Sequence, residues 1–570
     1  MTSPPDHNST HPELVPEIKP GRLYACPLGG VGEIGLNSYM IQYEDSIILI
    51  DCGHMTPESE MLGIDLVIPD FSYIIKNSDK LKAVFLTHAH DDHTGALPYL
   101  LSNVETPVYG TTLTLGFVME KMKEFEIGEK ASLREIRPRT SVEIGPFTIT
   151  PFRVTHSVAD SVGFAIETPV GNLVFSGDYK LEPNPRPGDY FDFHTLTSFA
   201  EKGILALFAD STNVERQGSA PSERKVYVNL DRIFSRTQST LVVSAFASSI
   251  HRIQTIFDLA EKYNRDVFVA GMNMERNIRV ASELGYLKIP EKRIHDVKKI
   301  DTFPPKKRLL LSTGSQGEPL SVMSRLSRGD FKWFKIKPGD VVVLSSRMIP
   351  GNEKSILKIV NHFSRRGARI FYEWTDSIHA SGHAYRDEMK HLIQLTRPRY
   401  LVPVHGEYRH LIAHLNLAAE LEMQKKNVIV NENGGVLELH ENKISKVGKI
   451  PIGRILVDGK RVGDVGDVVL RDRMHLSKDG MLIAILAIDN STGELLAGPY
   501  IVTRGFVYVD KSEELLQEAE KVILECFQNL DRESMEDWGV VKVSVRRALR
   551  KFLKNKTAAF PMILPVVLEV

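Results

Sequence analysis

The chain has 570 residues, of which 42% are hydrophobic and 25% charged, a balance that excludes a disordered or fibrous protein and, at this length, predicts about three structural units. The 71 Lys and Arg residues nearly equal the 72 Asp and Glu residues, which excludes a uniformly basic surface, so a polyanion would have to bind locally. Three widely spaced cysteines exclude a disulfide framework, and the lack of a signal peptide or of a run of about 20 apolar residues predicts a cytoplasmic protein without a membrane segment.

The chain begins with a polar segment and continues with strands. Residues 1–19 are rich in Pro, Ser, Thr and His and predict a flexible tail. From 20 to 218, short apolar runs such as SIILIDCG, AVFLTHAH, NLVFSGD and ILALFADSTN end in turn residues, which predicts a strand-rich sheet domain. Polar residues gather at the ends of these strands, where loops on a rigid sheet often carry catalytic groups.

The rest of the chain predicts two further units and a return to the first. From 219 to 385, apolar strands such as TLVVSAF and DVVVLSS alternate with amphipathic helices, which is typical of a parallel α/β domain. Residues 386–450 return to helix and buried strand and contain His405. After a linker at 451–468, residues 469–570 combine strands with the helix SEELLQEAEKVILECF, and we expect a small α+β domain there.

Potential metal ligands are concentrated in HAHDDH, directly after the apolar run AVFLT. This loop supplies four of them: His88, His90, Asp92 and His93. Imidazole nitrogen and carboxylate oxygen both suit Zn²⁺, and although a single His beside a strand is usually structural, four candidates in one loop favour a metal site. Three more candidates each follow an apolar run and would lie at the same sheet edge: His156, Asp178 and His405. PVHGE, which contains the last of these, is also compatible with a plain turn.

Together these seven positions resemble the metal ligands of the metallo-β-lactamase superfamily in its nucleic-acid-processing branch. The resemblance implies an αβ/βα sandwich with two Zn²⁺ per chain, for which Mn²⁺ or Mg²⁺ could substitute. It assigns one zinc to His88, His90 and His156, the second to Asp92, His93 and His405, and a bridging position to Asp178. Two such ions acidify a shared water and stabilise charge on a phosphoryl oxygen, although lactams, thioesters and oxygen reduction are served by related sites. Flavodiiron oxidoreductases usually have Glu in place of His90, so the pattern favours hydrolysis.

A second resemblance, to the β-CASP subfamily, rests on the long gap between Asp178 and His405, which would hold an inserted α/β domain. Asp210 in DSTN and the HASGH segment match further landmarks of that subfamily, and a final His favours RNA over DNA. GGVGEIGLN, LGIDLVIPDF, AFASSIHRIQ, STGSQGEPLS, HASGHA and PVHGEYRHL are similar to the ribonuclease J family along nearly the whole chain.

The ribonuclease J resemblance implies both a fold and a function. The fold is α/β: a metallo-β-lactamase sandwich (20–218 and 386–450) interrupted by a β-CASP domain (219–385), with the small α+β domain (469–570) at the C-terminus. The function is zinc-dependent hydrolysis of single-stranded RNA, with 5′-to-3′ exonuclease activity that prefers a 5′ monophosphate and with endonuclease activity, in rRNA maturation and mRNA decay. The family also implies a homodimer or homotetramer formed by the C-terminal domain, and other RNA-decay proteins as partners.

HASGH offers imidazoles, a hydroxyl and a close backbone approach, all of which suit a phosphate. By analogy with the family, this segment binds the phosphate next to the scissile bond through His379, Ala380, Ser381, Gly382 and His383. His383 would also protonate the leaving 3′ oxygen, with Asp210 orienting it or a metal ligand. The predicted catalytic residues are therefore Asp92, Asp210 and His383. A turn with exposed histidines is the structural alternative.

Other segments have two interpretations each. Phe246, Ala247 and Ser248 of AFASS match the family's pocket for the 5′ monophosphate, but a core Phe246 and an N-cap Ser248 explain the same letters. STGSQGEP would let its backbone approach a ligand or would form a plain turn. A structural Ca²⁺ position in some relatives corresponds to Gly63, Asp65 and Asp458.

Two segments near the chain ends predict local structure. CPLGGVGEIGLN lacks the Lys and Ser or Thr of a phosphate-binding loop, so we expect a hairpin turn beside the active site. The basic run KVSVRRALRKFLKNK predicts a solvated helix face, with an auxiliary RNA contact as the alternative.

Three other functions remain open on the residues alone. A hydrolase of small esters or lactams, or a ribonuclease that matures tRNA ends, would have no use for the long α/β insert. A catalytically silent RNA-binding scaffold would have lost metal ligands, whereas all seven are present here.

Overall fold

The computed structural model describes residues 15–58, 60–128, 131–318, 320–348, 352–373, 376–459, 461–489, 492, 494–507, 512–530 and 537–570. These residues form two compact units. The first comprises the chain up to Met55 together with Ile68–Arg454, and the second comprises Thr56–Val67 together with Ile455–Val570. Most of the predicted tail lies outside the described residues. Strands and helices carry numbers in chain order.

The first unit contains an eight-stranded sheet whose second half is parallel. From one edge to the other its strands are β23 (Lys443–Lys449), β22 (Gly435–His440), β1 (Leu23–Gly29), β3 (Ser38–Tyr43), β4 (Ser46–Ile50), β6 (Leu81–Phe85), β7 (Val108–Gly110) and β8 (Leu133–Glu135). Strands β4, β6, β7 and β8 run parallel to one another, so the loops that leave β4 and β6 emerge at the same edge.

A six-stranded sheet faces the first one. Its strands are β20 (Tyr400–Val404), β13 (Ile204–Asp210), β12 (Gly171–Phe175), β11 (Val162–Thr168), β10 (Phe147–Arg153) and β9 (Val142–Ile144). Strands β12, β13 and β20 are parallel. Aromatic side chains fill the space between the two sheets, with ring centroids 5.7 Å apart for Phe85 and Phe164 and 5.0 Å apart for Tyr39 and Phe208. The apolar runs of both sheets therefore share one core.

Helices cover the outer faces of the two sheets and complete a four-layer arrangement. The helices of this domain are α1 (Ser72–Lys76), α2 (Asp91–Thr94), α3 (Leu97–Leu101), α4 (Thr112–Glu124), α5 (Phe193–Lys202), α11 (Arg386–Thr396) and α12 (Tyr408–Glu420). Leu196, Leu392 and Leu417 bury α5, α11 and α12 on the six-stranded sheet, and α4 packs beside β7 and β8. The short strands β2 (Val31–Gly32) and β21 (Gly406–Glu407) pair with each other.

Between β13 and β20 the chain forms a separate parallel sheet. Its strands, in spatial order, are β16 (Ile294–His295), β15 (Asp266–Ala270), β17 (Arg308–Ser312), β14 (Leu241–Ser244), β18 (Val341–Leu344) and β19 (Arg369–Phe371). Its helices are α6 (Glu223–Arg236), α7 (Ile250–Lys262), α8 (Met272–Glu283), α9 (Val322–Arg328) and α10 (Glu353–Arg365). Strands such as LVVS and VVVL are continuously apolar because helices bury the sheet on both faces.

The second unit is an α+β domain. Its elements are β25 (Arg461–Val462), α13 (Asp467–Asp479), β26 (Met481–Ile488), β27 (Leu495–Arg504), α14 (Glu513–Gln528), α15 (Trp538–Thr557) and β28 (Met562–Glu569). Two further strands, β5 (Leu66–Pro69) and β24 (Arg454–Asp458), each span a boundary between the two units. The sheet order is β27-β26-β28, and alternate residues of β26 pack on α14 and α15.

Two predicted segments differ from the structure in detail. The predicted linker at 451–468 contains β24 and β25, because Leu456, Val457 and Val465 are buried rather than exposed. The predicted strand-rich N-terminal domain also contains the 13-residue helix α4. Among the described helices, none combines the length and apolar character needed to cross a membrane.

Candidate metal centre

The candidate ligands lie at the ends of strands that both sheets present at one edge. The HAHDDH loop follows β6, Asp178 follows β12, and His405 follows β20 directly. Gly177 precedes Asp178. Its φ is +58°, and an added Cβ would lie 2.8 Å from the Val162 carbonyl oxygen, so this position favours glycine. The parallel register of β12, β13 and β20 therefore brings residues distant in sequence to one place.

Three histidines form the first group of the cluster. His88 Nε2 lies 3.0 Å from His90 Nδ1, and His156 Nε2 lies 3.2 Å from the same atom. Asp178 Oδ2 is 3.6 Å from His88 Nε2 and 3.8 Å from His156 Nε2. One ligand atom from each of these four residues falls within 4.8 Å of the others, a spacing at which one cation can touch all of them.

The second group consists of Asp92, His93 and His405. Asp92 Oδ2 lies 3.7 Å from His93 Nε2 and 3.5 Å from His405 Nε2. Asp178 Oδ2 is also 3.3 Å from His93 Nε2 and 3.4 Å from His405 Nε2. The Asp178 carboxylate thus stands between the two groups, where it is 2% exposed.

The buried ring nitrogens of His405 indicate whether this site suits metal ions. Among the described residues, neither ring nitrogen of His405 has a hydrogen-bond partner, although the residue is buried. Leaving such a group unsatisfied is costly, and a cation at the convergence of these nitrogen and carboxylate donors would remove that cost. The donor set of imidazoles and carboxylates is the one that Zn²⁺ accepts. The residues therefore fit a two-metal site.

The pKa shifts around Asp178 have opposite signs. Burial lowers the pKa of His405, but the Asp178 carboxylate outweighs it and raises that pKa to about 9. His93 behaves in the same way, because burial is outweighed by Asp178 and Asp51. Burial raises the pKa of Asp178, but the nearby His405 and His93 lower it by more. The net pKa of Asp178 is well below its usual value, so the carboxyl is ionised. Burial lowers the pKa of His88 well below its usual range, and its ring is neutral, as a metal ligand must be.

Hydrogen bonds to the outer nitrogens fix the orientation of these rings. Asp51 Oδ2 lies 2.7 Å from His93 Nδ1, and the same carboxylate accepts from the Thr87 hydroxyl at 2.8 Å. Thr87 Oγ1 lies 3.0 Å from His88 Nδ1. Asn37 Nδ2 donates to Asp92 at 3.3 Å. Such partners set the tautomer of metal-binding histidines.

These three supporting residues were not among those predicted from the sequence. The signal for Asp51 was present, since it follows the apolar strand SIILI and ends at the same edge as HAHDDH. Its left-handed backbone, with φ 62°, marks a residue held in place by its surroundings. Thr87 and Asn37 carry no comparable signal.

The HASGH segment contacts the candidate metal ligands. The carbonyl oxygen of Gly382 accepts a hydrogen bond from His156 Nδ1 at 2.8 Å. Ser381 Oγ accepts from Asn213 Nδ2 at 2.8 Å, and Ala380 is buried. The segment is therefore packed against the cluster, and the alternative of a turn with exposed histidines is wrong.

His383 and Asp210 form a buried pair next to the cluster. Asp210 Oδ2 lies 2.8 Å from His383 Nδ1, and the other carboxylate oxygen accepts from the Thr212 backbone N–H. Burial lowers the pKa of His383, but Asp210 and Asp178 outweigh it and raise the pKa above its usual value. His383 Nδ1 is also 3.8 Å from Asp178 Oδ2, so His383 lies beside the candidate metal ligands.

His379 differs electrostatically from His383. It is half-buried, and its pKa is lowered well below the usual value by burial and then by the positive charges of Arg252 and Arg347. His379 is therefore neutral, and it lies near the guanidinium groups of Arg252 and Arg347.

The AFASS segment follows β14 at the carboxyl edge of the parallel sheet. Phe246, Ala247 and Ser248 are all half-buried, and Ala247 packs on the core. Helix α7 begins at Ile250, so its N-cap is Ser249 and the N-cap alternative for Ser248 is wrong. The Ser249 hydroxyl donates to the carbonyl of Ser157, next to His156, at 3.4 Å. In STGSQGEP, the Gln316 side chain donates to the carbonyl oxygen of Arg347 at 2.7 Å.

The residues of the predicted calcium site lie together, but a cationic side chain lies among them. Arg473 Nη2 donates to Asp458 Oδ2 at 2.6 Å, and Asp65 Oδ2 accepts from the Gly459 backbone N–H at 2.7 Å. An added Cβ on Gly63 would lie 2.7 Å from Arg473 Nη1. The arginine supplies the positive charge that a Ca²⁺ ion would bring, so this site stays a prediction that the geometry does not favour.

Two other predicted segments adopt the expected local structure. Gly30, with φ +82°, lines the same pocket as Asp178 and His405, which places the glycine-rich segment beside the cluster. In α15, Val541, Val545, Leu549 and Leu553 are buried, whereas most basic residues of the run are exposed. The basic run is thus a solvated helix face.

Four segments of the chain match known families. Residues 31–215 match the metallo-beta-lactamase superfamily, and residues 238–363 match the family described as ribonuclease J, beta-CASP domain. Residues 372–430 match the Zn-dependent metallo-hydrolase RNA specificity domain, and residues 468–570 match the ribonuclease J C-terminal domain.

Whole-chain relatives are similar over nearly their full length. Ribonuclease J2 of Bacillus subtilis is 39% identical over 543 residues, covering 95% of this chain and 98% of the relative. Ribonuclease J of Thermus thermophilus is 40% identical over 551 residues, covering 95% of this chain and 94% of the relative. A crystal structure of a protein of unknown function from Enterococcus faecalis is similar in fold, with a TM-score of 0.52 at 16% identity, covering 73% of this chain and all of that one.

Proposed function

This chain belongs to the ribonuclease J family and is a metal-dependent ribonuclease, and from that premise we propose that it hydrolyses RNA with two Zn²⁺ ions, both as a 5′-to-3′ exonuclease and as an endonuclease. We further propose that it acts in rRNA maturation and mRNA decay. The observation that carries the proposal is the convergence of two ligand groups on Asp178, with a buried His405 whose ring nitrogens have no hydrogen-bond partner among the described residues.

The proposed ligand sets follow the two groups. His88, His90 and His156 would hold one ion, and Asp92, His93 and His405 the other, with Asp178 shared between them. When bound, such a pair of ions supplies Lewis acidity that activates water and neutralises charge on the phosphoryl oxygens. The chain's own part is to orient the rings, which Asp51 and Thr87 support through their hydrogen bonds.

The proton needed by the leaving 3′ oxygen is assigned to His383. Its raised pKa favours the protonated ring that a proton donor needs, and Asp210 holds Nδ1 so that Nε2 can face the substrate. Ser381 and the backbone of the HASGH segment would bind the phosphate next to the scissile bond. These roles are supported by the packing of Gly382 on His156, which fixes the distance between the phosphate segment and the metal ligands.

The preference for a 5′ monophosphate is assigned to AFASS. Ser248 is half-buried and is not engaged as the N-cap of α7, which leaves its hydroxyl available to a phosphate, and half-buried Phe246 would form a wall for the terminal base. An RNA end bound there would extend toward Ser157 and His156, because Ser249 touches that loop.

Assembly through the C-terminal domain is also proposed. The sheet face opposite α14 and α15 carries exposed apolar side chains, among them Leu496, Tyr500, Val502 and Val566. Apolar residues concentrated on one sheet face favour a protein contact, and a second copy would form a dimer or tetramer. Light scattering of the full chain and of Val566→Lys should give a multimer and a smaller species, respectively.

The three free thiols support a reducing compartment such as the cytoplasm.

The experiment uses two single-stranded RNAs of the same sequence, labelled at the 3′ end, with either a 5′ monophosphate or a 5′ triphosphate, with and without chelator. We expect chelator-sensitive breakdown to mononucleotides that is faster from the monophosphate, and loss of that preference in Ser248→Ala. Cleavage indifferent to the 5′ end would refute the AFASS pocket. Chelator-resistant cleavage, or none, would refute the two-metal proposal and favour a silent scaffold.

A further inference from the structure

Two arginines beside the HASGH segment have no acidic partner. Arg347 Nη1 donates to the side-chain oxygen of Asn213 at 2.8 Å. Arg216 Nη1 donates to the Tyr385 hydroxyl at 3.0 Å, and its guanidinium carbon lies 5.5 Å from the centre of that ring. Within the described ranges, neither guanidinium has a carboxylate within ion-pair distance, whereas most partly buried arginines of this unit do.

Hydrogen bonds link both arginines to HASGH or to the residues that directly follow it. Asn213, which accepts from Arg347, donates to Ser381 Oγ at 2.8 Å. The carbonyl oxygen of Arg216 accepts from the backbone N–H of Arg386, three residues after His383, at 3.0 Å. The Arg216 guanidinium also donates to Tyr385, two residues after His383, so both arginines lie close to the HASGH segment.

Nearby acidic groups form no ion pair with the two arginines. Glu215 pairs with Arg409, and Glu373 accepts from the Met348 backbone N–H at 2.9 Å without forming an ion pair with Arg347. Arg347 is half-buried, and its pKa is lowered by burial and then by the positive charge of Arg216, which the Glu373 carboxylate offsets only in part. A cation that is desolvated and repelled by a second cation is stabilised by an anion placed between them.

We propose that Arg216 and Arg347 form an additional phosphate-binding subsite, which binds the RNA backbone at a phosphodiester neighbouring the one held by HASGH. A guanidinium group presents two parallel N–H donors to phosphate oxygens, so each arginine is suited to this ligand. The subsite would let the chain bind a polyanion locally even though the net charge of the chain is only −1. This inference rests on the proposed function, because its ligand is the RNA strand that the metal centre cleaves.

The test measures RNA binding as a function of salt concentration. All variants are made in an Asp178→Asn background, so that a fluorescent 5′-monophosphorylated oligouridine is bound but not cleaved. Each lost phosphate contact should reduce the slope of log Kd against log salt by about 0.7 and weaken binding at low salt by about 10-fold. We expect this for Arg216→Gln and for Arg347→Gln, whereas Arg347→Lys, which keeps the charge, should retain the slope. Arg279→Gln, which removes an exposed arginine paired with Glu120, is the matched control and should change neither quantity.

The outcomes separate this inference from the function on which it rests. An unchanged slope in both glutamine variants, with a parent protein that cleaves RNA and is sensitive to chelator, overturns the subsite alone. A parent that does not cleave RNA overturns the proposed function. Arg216 is exposed, so Arg216→Gln should keep the melting temperature of the parent, and it decides the question if Arg347→Gln does not fold.

Discussion

Replacing Gly382 with Ala tests the contact between the HASGH segment and the proposed metal ligand His156. An added Cβ would lie 2.6 Å from His156 Cε1 and 2.9 Å from Ser157 Cβ, whereas ordinary contact begins at 3.4 Å. The His156 ring would have to move by about 0.8 Å to relieve the closer contact, a figure given by the difference between those distances. The clash is one of packing rather than of backbone strain, because Gly382 does not have a positive φ.

The surroundings of His156 leave it little room to move. Its side chain is 0% exposed, and the rings of His88, His90 and His383 lie with centroids 4.8, 5.0 and 5.1 Å away. A misplacement of about 1 Å at a reacting group can cost about 100-fold in rate, and overpacking costs about 1–3 kcal/mol of stability. We therefore expect Gly382→Ala to lower the rate of RNA cleavage by about 100-fold and to reduce the metal content.

The assay compares initial cleavage rates, metal content and urea unfolding of Gly382→Ala with those of Gly453→Ala. Gly453 is the matched control, because an added Cβ there meets nothing within 4 Å and its φ is not positive. The control should keep the parent's rate and lie within about 1 kcal/mol of its stability. A Gly382→Ala protein with the parent's rate and metal content would refute the reasoning.

Two further predictions concern the residues that orient the site. Asp51→Asn removes the charge that holds His93 Nδ1, so chelator competition should show metal affinity lower by about 10- to 100-fold, and unchanged affinity would argue against a supporting role. Asp210→Asn removes the carboxylate that raises the pKa of His383. A proton donor is active below its pKa and loses its proton as the pH rises through that value. Because Asp210→Asn should lower the pKa of His383, the alkaline fall in the pH–rate profile should move to lower pH in this variant. An alkaline fall that stays in place would contradict the role of His383 as proton donor.

The fold class and the family could be predicted because the informative residues are contiguous in sequence. The match of the segments to metallo-beta-lactamase, beta-CASP and ribonuclease J C-terminal families confirms the predicted α/β fold. HAHDDH indicates a metal site by itself, and the apolar runs before Asp178 and His405 are enough to predict that both end at one sheet edge. Hydrophobic patterning and the position of a residue at the end of a strand depend on neighbouring residues in the sequence, so both can be predicted without the tertiary structure.

The contacts that orient the ligands could not be predicted, because they depend on tertiary packing. Gly382 and His156 are 226 positions apart, and nothing in either segment indicates that a carbonyl of one meets a ring of the other. Arg347 lies in a segment without a recognisable motif, and its lack of an acidic partner becomes visible only in three dimensions. The N-cap interpretation of Ser248 was wrong by one position, since helix boundaries are the least certain feature of a sequence.

The central claim is that two metal ions bound around Asp178 carry out RNA cleavage. The most direct measurement is metal content per chain, determined together with RNA cleavage, for the parent, for Asp178→Asn and for Asp79→Asn, an exposed carboxylate that serves as control. We expect about two zinc ions per chain and full activity in the parent and the control, and loss of both bound metal and cleavage in Asp178→Asn. An Asp178→Asn protein that cleaves RNA at the parent's rate, or a fully active parent without bound metal, would contradict the claim.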